Sequence, residues 1–359
     1  MDDSIMLDNL SELSAEFGTN EYLKGGGGNS SVKNDTTMWI KPSGTVLCEL
    51  GPDGFLPMDR EKIHELYDVE PPDGVAEREE LVKNMMMASV LPGETGRPSV
   101  EAPLHETIDY TYVMHTHPVL VNGMTCSKNG AEVCGRLFPD AMWFEKPDAG
   151  YMLCKNLREE LAEYKNAKGS QPEAIFLKNH GLFVSSDTPE RMRELHAEIM
   201  NAMRNEYQER NVTYDLIIEH AVSDSQLAEE AAVIKKLLGD DAAHVVSSEP
   251  FAVVPGPITP DHIVYSKSYP FIGQLSAEAI EEFKSKHGYS PRVIKTETGV
   301  YGVGTDAKSA SLALELAVDG SQVMQLAEVF GGLDYLSSET ADFFDNWEVE
   351  KYRRSLMSA

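Results

Sequence analysis

The sequence predicts an α/β protein with two domains, and three observations carry this prediction. The chain has 359 residues, about twice the length of a typical single domain. Segment 173–209 reads as a strand, a glycine turn, a second strand and a long helix, so one domain contains both element types. Near the start, apolar residues recur at helical spacing at Ile5, Leu7, Leu10, Leu13 and Phe17. We expect the domains at 1–220 and 221–359.

Helices and strands alternate through the first domain. Helices are predicted at 3–17, 60–68, 76–91, 102–110, 118–128, 130–136 and 188–209. Strands are predicted at 31–33, 38–40, 111–114, 173–177 and 182–185, and 141–144 is a short apolar stretch. Asn34 and Asp35 supply the turn between the first two strands. Thr188 and Pro189 suit the N-cap and the first position of the last helix. One further helix is predicted at 224–238.

The second domain partly repeats the first. Segments 174–192 and 292–310 both read as strand, glycine turn, strand and capped helix. Gly299 aligns with Gly181, and Thr298 aligns with His180. We interpret the second domain as a smaller α/β domain that is a degenerate repeat without the histidine. A chance likeness between two common strand–turn–strand–helix units is the alternative.

The charge of the chain excludes a general nucleic-acid binder. There are 31 Lys and Arg against 59 Asp and Glu, which gives a formal charge of −28, and such a field repels phosphate backbones. It is compatible with a small phosphorylated substrate, because a few local donors outweigh a distant, screened field. No stretch approaches the ~18–20 apolar residues of a membrane span, and the acidic start does not resemble a signal peptide. The four cysteines form no CxxC pair and no disulfide framework. We therefore expect a cytoplasmic protein without a nucleic-acid or membrane partner.

Three histidines form a candidate metal site. His115 and His117 are separated by one residue at a predicted strand end, so both imidazoles point to the same face. His180 lies at another strand end, before a glycine. Three neutral imidazoles with one open position are the ligand set of a catalytic zinc ion. Unrelated surface or core histidines are the alternative reading.

Two further segments have chemistry that suits such a site. Glu101 comes shortly before the HxH strand, where a carboxylate acts as a general acid/base or as a fourth ligand. The run of four glycines that ends at Gly28, followed by Asn29 and Ser30, is a candidate phosphate cradle, because glycine lets backbone N–H groups approach an anion. The run matches no nucleotide-binding fingerprint, and a flexible linker is the alternative.

Five motifs occur in an order that resembles one family. They are GGGGNSS at 25–31, KPSG at 41–44, PSVE at 98–101, HTHP at 115–118 and NHG at 179–181. Together they resemble the class II aldolase/adducin family, which includes the fuculose-phosphate and rhamnulose-phosphate aldolases, over residues 8–215. The resemblance implies a three-layer fold with a central, mostly antiparallel sheet between helices.

The resemblance also implies roles for individual residues. It implies zinc, or another divalent metal, on His115, His117 and His180, and Glu101 as the catalytic acid/base. It implies that the substrate phosphate is bound by Gly28, Asn29, Ser43, Gly44 and Ser99. Val100 departs from relatives that have a second serine there, so one hydrogen bond to the phosphate is missing. Where relatives often have a tyrosine, this chain has Glu145 and Lys146. Lys146 is a candidate for anion binding or proton donation, and a surface lysine is the alternative.

The activity implied by the resemblance is that of a metal-dependent carbon–carbon lyase. The substrate would be a ketose 1-phosphate, cleaved through an enediolate to dihydroxyacetone phosphate and a small aldehyde. An epimerase or decarboxylase with the same metal site is one alternative, and a non-catalytic, adducin-like module is another. Relatives form homo-oligomers, which we also expect here.

The later part of the chain resembles a second group of proteins. PITPDH at 257–262, GVYGVG at 299–304 and the motif beginning at Phe344 resemble the aldolase part of bifunctional rhamnulose-phosphate aldolase/alcohol dehydrogenases. The resemblance implies a stand-alone version of that part, without the dehydrogenase domain.

Overall fold

A computed structural model describes residues 2–146 and 150–346. The chain divides into two compact units. The first comprises the residues up to Val121 together with Ala131–Arg204, and the second comprises Asn122–Gly130 together with the described residues from Asn205 onward. Helices and mixed sheets occur in both units, so the predicted α/β class with a second, smaller domain is confirmed.

Eight helices and seven strands precede residue 210 in the described part of the chain. The helices are α1 (Asp3–Phe17), α2 (Arg60–His64), α3 (Val75–Ser89), α4 (Ala102–Thr107), α5 (Val119–Thr125), α6 (Gly130–Leu137), α7 (Tyr151–Lys168) and α8 (Pro189–Glu209). The strands are β1 (Asn29–Lys33), β2 (Thr37–Ile40), β3 (Leu56–Asp59), β4 (Tyr112–Thr116), β5 (Met142–Phe144), β6 (Ala174–Leu177) and β7 (Gly181–Ser186). Short 3₁₀ turns connect several of them.

The seven strands of the first unit form one sheet in the order β3-β2-β1-β4-β7-β6-β5. Neighbouring strands are antiparallel, except β5 and β6, which are parallel. A mostly antiparallel sheet is what the family resemblance implies. β1, β4 and β7 are adjacent in the middle of the sheet, and they carry or adjoin the glycine loop, the HxH motif and the NHG turn.

Local sequence signals explain several of these elements. The Asp2 side chain accepts from the Ser4 backbone N–H and begins α1 at Asp3, as predicted. The Asn34 side chain accepts from the backbone N–H groups of Thr36 and Thr37, which closes the β1–β2 turn. Thr188 accepts from the Arg191 backbone N–H and caps α8 at its N-terminus.

A hydrophobic core lies between one face of the sheet and helices α4 and α7. Its buried members come from both helices and from strands β4 to β7, and they include Leu104, Val113, Phe144, Leu157, Ile175, Leu177 and Phe183. Burying such aliphatic and aromatic side chains contributes about 1.5–3 kcal/mol each. Helix α7 supplies much of this core, although no helix is predicted there from the sequence. Its central part contains many charged residues, which obscure the apolar face.

The second unit contains helices α9 (Asp224–Leu238), α10 (Pro260–Ser266), α11 (Ala277–His287), α12 (Ala307–Ala327) and α13 (Ser338–Asn346). Its strands are β8 (His244–Ser248), β9 (Phe271–Ile272), β10 (Val293–Lys295) and β11 (Val300–Gly304). They form a sheet in the order β8-β11-β10-β9.

This second sheet has the same topology as half of the first. In chain order, β4 to β7 pair as β4-β7-β6-β5, and β8 to β11 pair as β8-β11-β10-β9. In each sheet the first two pairs are antiparallel and the last pair is parallel. The likeness between segments 174–192 and 292–310 therefore extends to strand order and direction, which supports the repeat. At the second hairpin, Thr296 and Tyr301 donate to Glu230, and Thr298 stands where His180 stands in the first.

No helix within the described residues is both long enough and apolar enough to cross a membrane. Most of the motif that begins at Phe344 lies outside the described residues.

Candidate functional site

His115 is fixed by its place in the middle of the sheet. It lies on β4, opposite Asn29 of β1 on one side and Phe183 of β7 on the other. Its ring is fully buried and stacks on Phe183, with the ring centroids 4.1 Å apart. Its Nδ1–H donates to the Leu182 carbonyl over 3.1 Å. This hydrogen bond leaves the lone pair of Nε2 for a metal ion. Burial lowers the pKa of His115 well below its usual value, which favours the neutral, ligating form.

His180 lies in the tight β6–β7 hairpin. Leu177 pairs with Gly181 across the turn, and the His180 backbone N–H donates to the Leu177 carbonyl. Asn179 adopts a positive φ of 54°, a conformation that asparagine tolerates better than most residues. A Cβ on Gly181 would lie 2.5 Å from His117 Cδ2 and 2.5 Å from the Thr116 carbonyl oxygen. Glycine is therefore required for this hairpin to approach the HxH segment.

The three predicted metal ligands converge. His115 Nε2 lies 2.9 Å from His117 Nε2 and 3.3 Å from His180 Nε2. One ligand atom from each histidine lies within 4.8 Å of the others. Tetrahedral coordination with Zn–N distances of about 2.0–2.1 Å places ligand nitrogens about 3.3 Å apart. The donor set and its spacing therefore fit a divalent metal ion such as zinc.

Glu101 faces the same nitrogens. It is the N-cap residue of α4, but its carboxylate does not cap the helix. Glu101 Oε1 lies 3.5 Å from His115 Nε2 and 3.6 Å from His180 Nε2, and Oε2 accepts a hydrogen bond from Asn29 Nδ2. The side chains of Glu101 and His180 remain 13% and 14% exposed, so this side of the site is in contact with solvent.

Helix α4, which begins directly after Glu101, is tied to the sheet at its far end. The Lys33 ammonium is buried and donates to the carbonyls of His105 and Ile108 at the helix C-terminus. Burial lowers the pKa of Lys33 to about 8. The buried Glu106 carboxylate accepts from Arg60 and contacts His64 Nε2 at 2.7 Å. These contacts fix the helix that orients Glu101.

The glycine loop runs directly into the strand beside the histidines. Gly28 adopts a φ of +63°, and a Cβ there would lie 2.6 Å from the His115 carbonyl oxygen. The position therefore requires glycine for both conformation and space. The Asn29 side chain contacts Glu101, as described above, and His105. In this structure its amide thus serves the Glu101 carboxylate, and a contact with a substrate phosphate stays a prediction.

The other predicted phosphate-binding segments lie together. The Ser43 backbone N–H donates to the Arg97 carbonyl over 2.8 Å, and the Ser99 backbone N–H donates to the Lys41 carbonyl over 3.2 Å. Gly44 has a positive φ of 86°. Lys41 is buried, and its ammonium donates to the Gly26 carbonyl over 3.3 Å. The KPSG segment is thus joined both to the glycine loop and to the Ser99 segment.

Ser43 has a notable feature within this arrangement. Its hydroxyl is buried, and it has no hydrogen-bond partner among the described residues. A buried hydroxyl without a partner costs about 1–3 kcal/mol. A bound anion that accepts a hydrogen bond from this hydroxyl would remove the cost.

Lys146 lies in a different environment. Its side chain is 48% exposed, and its ammonium lies 3.2 Å from Glu160 Oε1 on α7. The neighbouring Glu145 contacts the NHG turn instead, because its carboxylate lies 2.6 Å from the Lys178 ammonium. The role in catalysis or anion binding that the resemblance implies for Lys146 stays a prediction.

Several residues that shape the site were not predicted from the sequence. Three of them are buried beside predicted site residues: Lys33, Lys41 and His105. A fourth, Lys178, precedes the turn that carries His180 and forms an ion pair with Glu145, directly after β5. Lys41 could have been identified from the sequence, because it is the first residue of the KPSG motif. His105 had no usable signal, because a lone histidine in a helix most often has no function beyond packing.

Known proteins have sequences similar to that of this chain. The model of the class II aldolase and adducin N-terminal domain matches residues 8–207, more than half of the chain. The uncharacterized oxidoreductase YuxG of Bacillus subtilis (strain 168) is 22% identical over 396 residues, which cover 92% of this chain and 55% of that protein. The chain thus spans about half the length of this curated relative.

Solved structures of similar proteins were also found. The N-terminal class II aldolase domain of a conserved protein from Thermoplasma acidophilum has 22% identity and a TM-score of 0.48, and the match covers 55% of this chain and 92% of that one. L-fuculose-1-phosphate aldolase from Thermus thermophilus has 14% identity and a TM-score of 0.39, with 58% and 97% covered.

The match to the family model covers all five motifs, and the structure brings the three histidines of two of these motifs to one point. The chain belongs to the class II aldolase and adducin family.

Proposed function

We propose that the protein is a zinc-dependent lyase that cleaves a ketose 1-phosphate, similar to rhamnulose or fuculose phosphate, into dihydroxyacetone phosphate and a small aldehyde. One observation carries the proposal most directly. Three imidazole nitrogens converge, and the Glu101 carboxylate lies 3.5–3.6 Å from two of them. An adducin-like structural module needs neither the converged ligands nor a partly exposed carboxylate beside them.

When bound to the three histidines, zinc supplies Lewis-acid chemistry, which polarises the ketose carbonyl and stabilises the negative charge that develops during carbon–carbon cleavage. The residues of the chain supply the rest. Glu101 lies where it can move the proton at the carbon that loses its bonding partner. Its Oε1 faces the ligand nitrogens, while the hydrogen bond from Asn29 holds Oε2.

The phosphate of the substrate is held by the three joined loops in this proposal. Backbone N–H groups near Gly28, the Ser43 hydroxyl, Gly44 and Ser99 supply neutral donors, and the buried Lys41 supplies positive charge nearby. When the phosphate is held, the reacting carbon is positioned as well. Such positioning lowers the activation barrier by several kcal/mol. The chain carries a net charge of −28, so attraction of the substrate depends on these local donors.

The proton transfer at the hydroxyl of the departing aldehyde also needs a group. Lys146 is the candidate that the family position suggests. Its exposed ion pair with Glu160 supports a surface role instead, so the identity of this group stays open to test. We further expect a cytoplasmic homo-oligomer, as in the relatives.

A retro-aldol assay tests the proposal. Purified protein is supplied with rhamnulose 1-phosphate or fuculose 1-phosphate, and released dihydroxyacetone phosphate is measured with a coupled dehydrogenase. We expect cleavage that a chelator abolishes and zinc restores, and we expect none in His180→Ala. The matched control is His220→Ala, an exposed histidine of the second unit, which should retain full activity.

The products distinguish the alternatives. In a parallel assay with a keto-acid phosphate, release of carbon dioxide indicates a decarboxylase. In the ketose phosphate assay, an isomerised sugar phosphate without fragments indicates an epimerase with the same site. Either result contradicts the lyase. Elemental analysis that finds no bound metal after growth with zinc contradicts all three enzymes and favours a non-catalytic module.

A further inference from the structure

Hydrogen bonds connect four polar side chains in a line that begins in the interior of the first unit and ends at Glu101. Its members are Ser31, His105, Asn29 and Glu101. Ser31 Oγ lies 2.7 Å from His105 Nδ1, His105 Nε2 contacts Asn29 Oδ1, and Asn29 Nδ2 contacts Glu101 Oε2. Ser31, His105 and Asn29 are all at most 1% exposed. Since water does not compete for these hydrogen bonds, their donor and acceptor roles are set by the four groups themselves.

When Glu101 is ionised, the chemistry of the groups permits one direction of donation for these three hydrogen bonds. A carboxylate only accepts, so Asn29 presents its NH₂ group to Glu101 and its oxygen to His105. That oxygen needs a donor, so His105 carries its proton on Nε2. A neutral imidazole carries one N–H, so Nδ1 accepts from the Ser31 hydroxyl. Burial lowers the pKa of His105 to about 3, in agreement with a neutral ring.

The reverse orientation of the Asn29 amide is unfavourable beside an ionised Glu101 and beside a His105 ring that has its proton on Nε2. It would place the amide oxygen against the Glu101 carboxylate and the NH₂ group against the His105 N–H. Each contact would join two acceptors or two donors in a dry environment, which costs about 1–3 kcal/mol for each unsatisfied group. The Glu101 carboxylate therefore selects the amide orientation, and a His105 ring with its proton on Nε2 stabilises that orientation.

The line also determines which carboxylate oxygen faces the metal ligands. Asn29 holds Glu101 Oε2, and Oε1 lies 3.5 Å from His115 Nε2. We propose that His105 is a positioning residue that, through Asn29, holds the Glu101 carboxylate in the orientation for proton transfer; this inference depends on the proposed role of Glu101.

A purely structural role explains the polar atoms of His105 less well. Helix α4 is already tied to the sheet through Lys33 and Glu106. The His105 ring packs edge-on against Phe183, with the centroids 5.4 Å apart. A phenylalanine can make this aromatic contact, so packing alone does not require either ring nitrogen.

Two variants of His105 test the proposal kinetically. His105→Phe keeps a ring and removes both hydrogen bonds, whereas the amide of His105→Gln can donate to Asn29 and accept from Ser31. We expect His105→Phe to lower kcat by about 10–100-fold, with KM and zinc content unchanged, and His105→Gln to recover most of the loss. The control is His196→Phe, which replaces a buried histidine that stacks on Phe17 and lies outside the line.

Some results would overturn the inference. The first is a kcat of His105→Phe equal to that of wild type. The second is a kcat of His105→Gln as low as that of His105→Phe. The third is a defect of His105→Phe in KM alone or in zinc content alone. If His105→Phe does not fold, the kcat of His105→Gln relative to wild type still tests the inference. The ¹⁵N shifts of His105 in the wild-type protein test it independently.

The tautomer itself can be measured without an assay. In wild-type protein labelled with ¹⁵N-histidine and loaded with zinc, the shifts of His105 should show a neutral ring with its proton on Nε2. Ser31→Ala should perturb the Nδ1 shift. A proton on Nδ1, or a charged ring at pH 7, refutes the inference even if lyase activity is present. Absence of lyase activity with the predicted tautomer refutes the proposed function instead.

Discussion

Asn29 and His115 lie directly opposite each other on the adjacent antiparallel strands β1 and β4. This pairing couples the glycine loop to the metal site, because Asn29 follows Gly28 and also contacts Glu101. A slip of one residue in this register would turn the side chains of one strand to the opposite face. The position of the carboxylate relative to the histidines therefore depends on the structure of the loop before β1.

Gly28→Ala tests this coupling. The new Cβ would lie 2.6 Å from the His115 carbonyl oxygen, at a φ of +63° that disfavours alanine. We expect the free energy of unfolding to fall by about 1–3 kcal/mol, with weaker zinc binding because β1 moves relative to β4. Chemical denaturation and zinc titration measure the two effects.

Gly51→Ala is the matched control, because a Cβ there meets nothing within 4 Å and the backbone does not have a positive φ. It should be neutral or slightly stabilising. Wild-type stability and zinc affinity in Gly28→Ala would show that the loop moves independently of the metal site.

Zinc should stabilise the folded chain through the three histidines. A ligand that binds only the folded state at 100 times its Kd adds about 2.7 kcal/mol. We expect the apparent melting temperature to fall with chelator and to rise again with zinc, as measured by differential scanning fluorimetry. His117→Ala should abolish the zinc-dependent rise. The same zinc response in His117→Ala as in wild type would mean that the metal binds elsewhere.

Ser43→Ala tests the anion site. The Ser43 hydroxyl is buried and lacks a hydrogen-bond partner among the described residues, so its removal should not lower the stability. It should weaken binding of inorganic phosphate or of the ketose phosphate by about tenfold, the effect of one lost hydrogen bond of about 1.4 kcal/mol to a charged group. Calorimetric titration measures the affinity.

Ser11→Ala provides the converse control. The Ser11 hydroxyl donates to the Leu50 carbonyl over 2.8 Å, so this variant should lose about 1 kcal/mol of stability and keep its affinity for phosphate. If Ser43→Ala lowers stability in the same way and leaves phosphate binding intact, the hydroxyl is a structural group.

The convergence of the three histidines was predictable from sequence because they lie at strand ends with short-range signals. The HxH spacing places two side chains on one face, and the glycine after His180 permits a tight hairpin. The mostly antiparallel direction of the strands was implied only by the family resemblance. The strand order was not predicted, since the β1–β4 and β4–β7 pairs join segments far apart in the chain.

Contacts between distant side chains were not predictable. The contacts of the Asn29 amide with Glu101 and His105 could not be predicted, because these residues lie more than seventy positions further along the chain. Lys146 had a plausible family position, and only the fold shows its ion pair with Glu160. Buried polar groups such as Lys33 carry no periodic signal, because their partners are backbone carbonyls of another element.

We expect the buried Lys33 to make the free energy of unfolding depend on pH. Burial lowers its pKa from 10.5 to about 8, a difference that corresponds to about 3 kcal/mol. Below pH 8 the ammonium is charged in both states, and the full cost of burying the charge is present. Between pH 8 and 10.5 the folded state loses its proton first, so the unfolded state binds more protons and stability rises with pH.

The measurement compares wild type with Lys33→Met by denaturant unfolding from pH 7 to 10.5. All other groups titrate in both proteins, so the difference in free energy isolates Lys33. We expect this difference to move in favour of wild type by up to about 3 kcal/mol over this range. Lys62→Met, at an exposed position, is the control for replacement of a lysine by methionine. Parallel curves for Lys33→Met would show that the Lys33 ammonium is hydrated in the folded protein, and the tie between β1 and the C-terminus of α4 would then not depend on a buried charge.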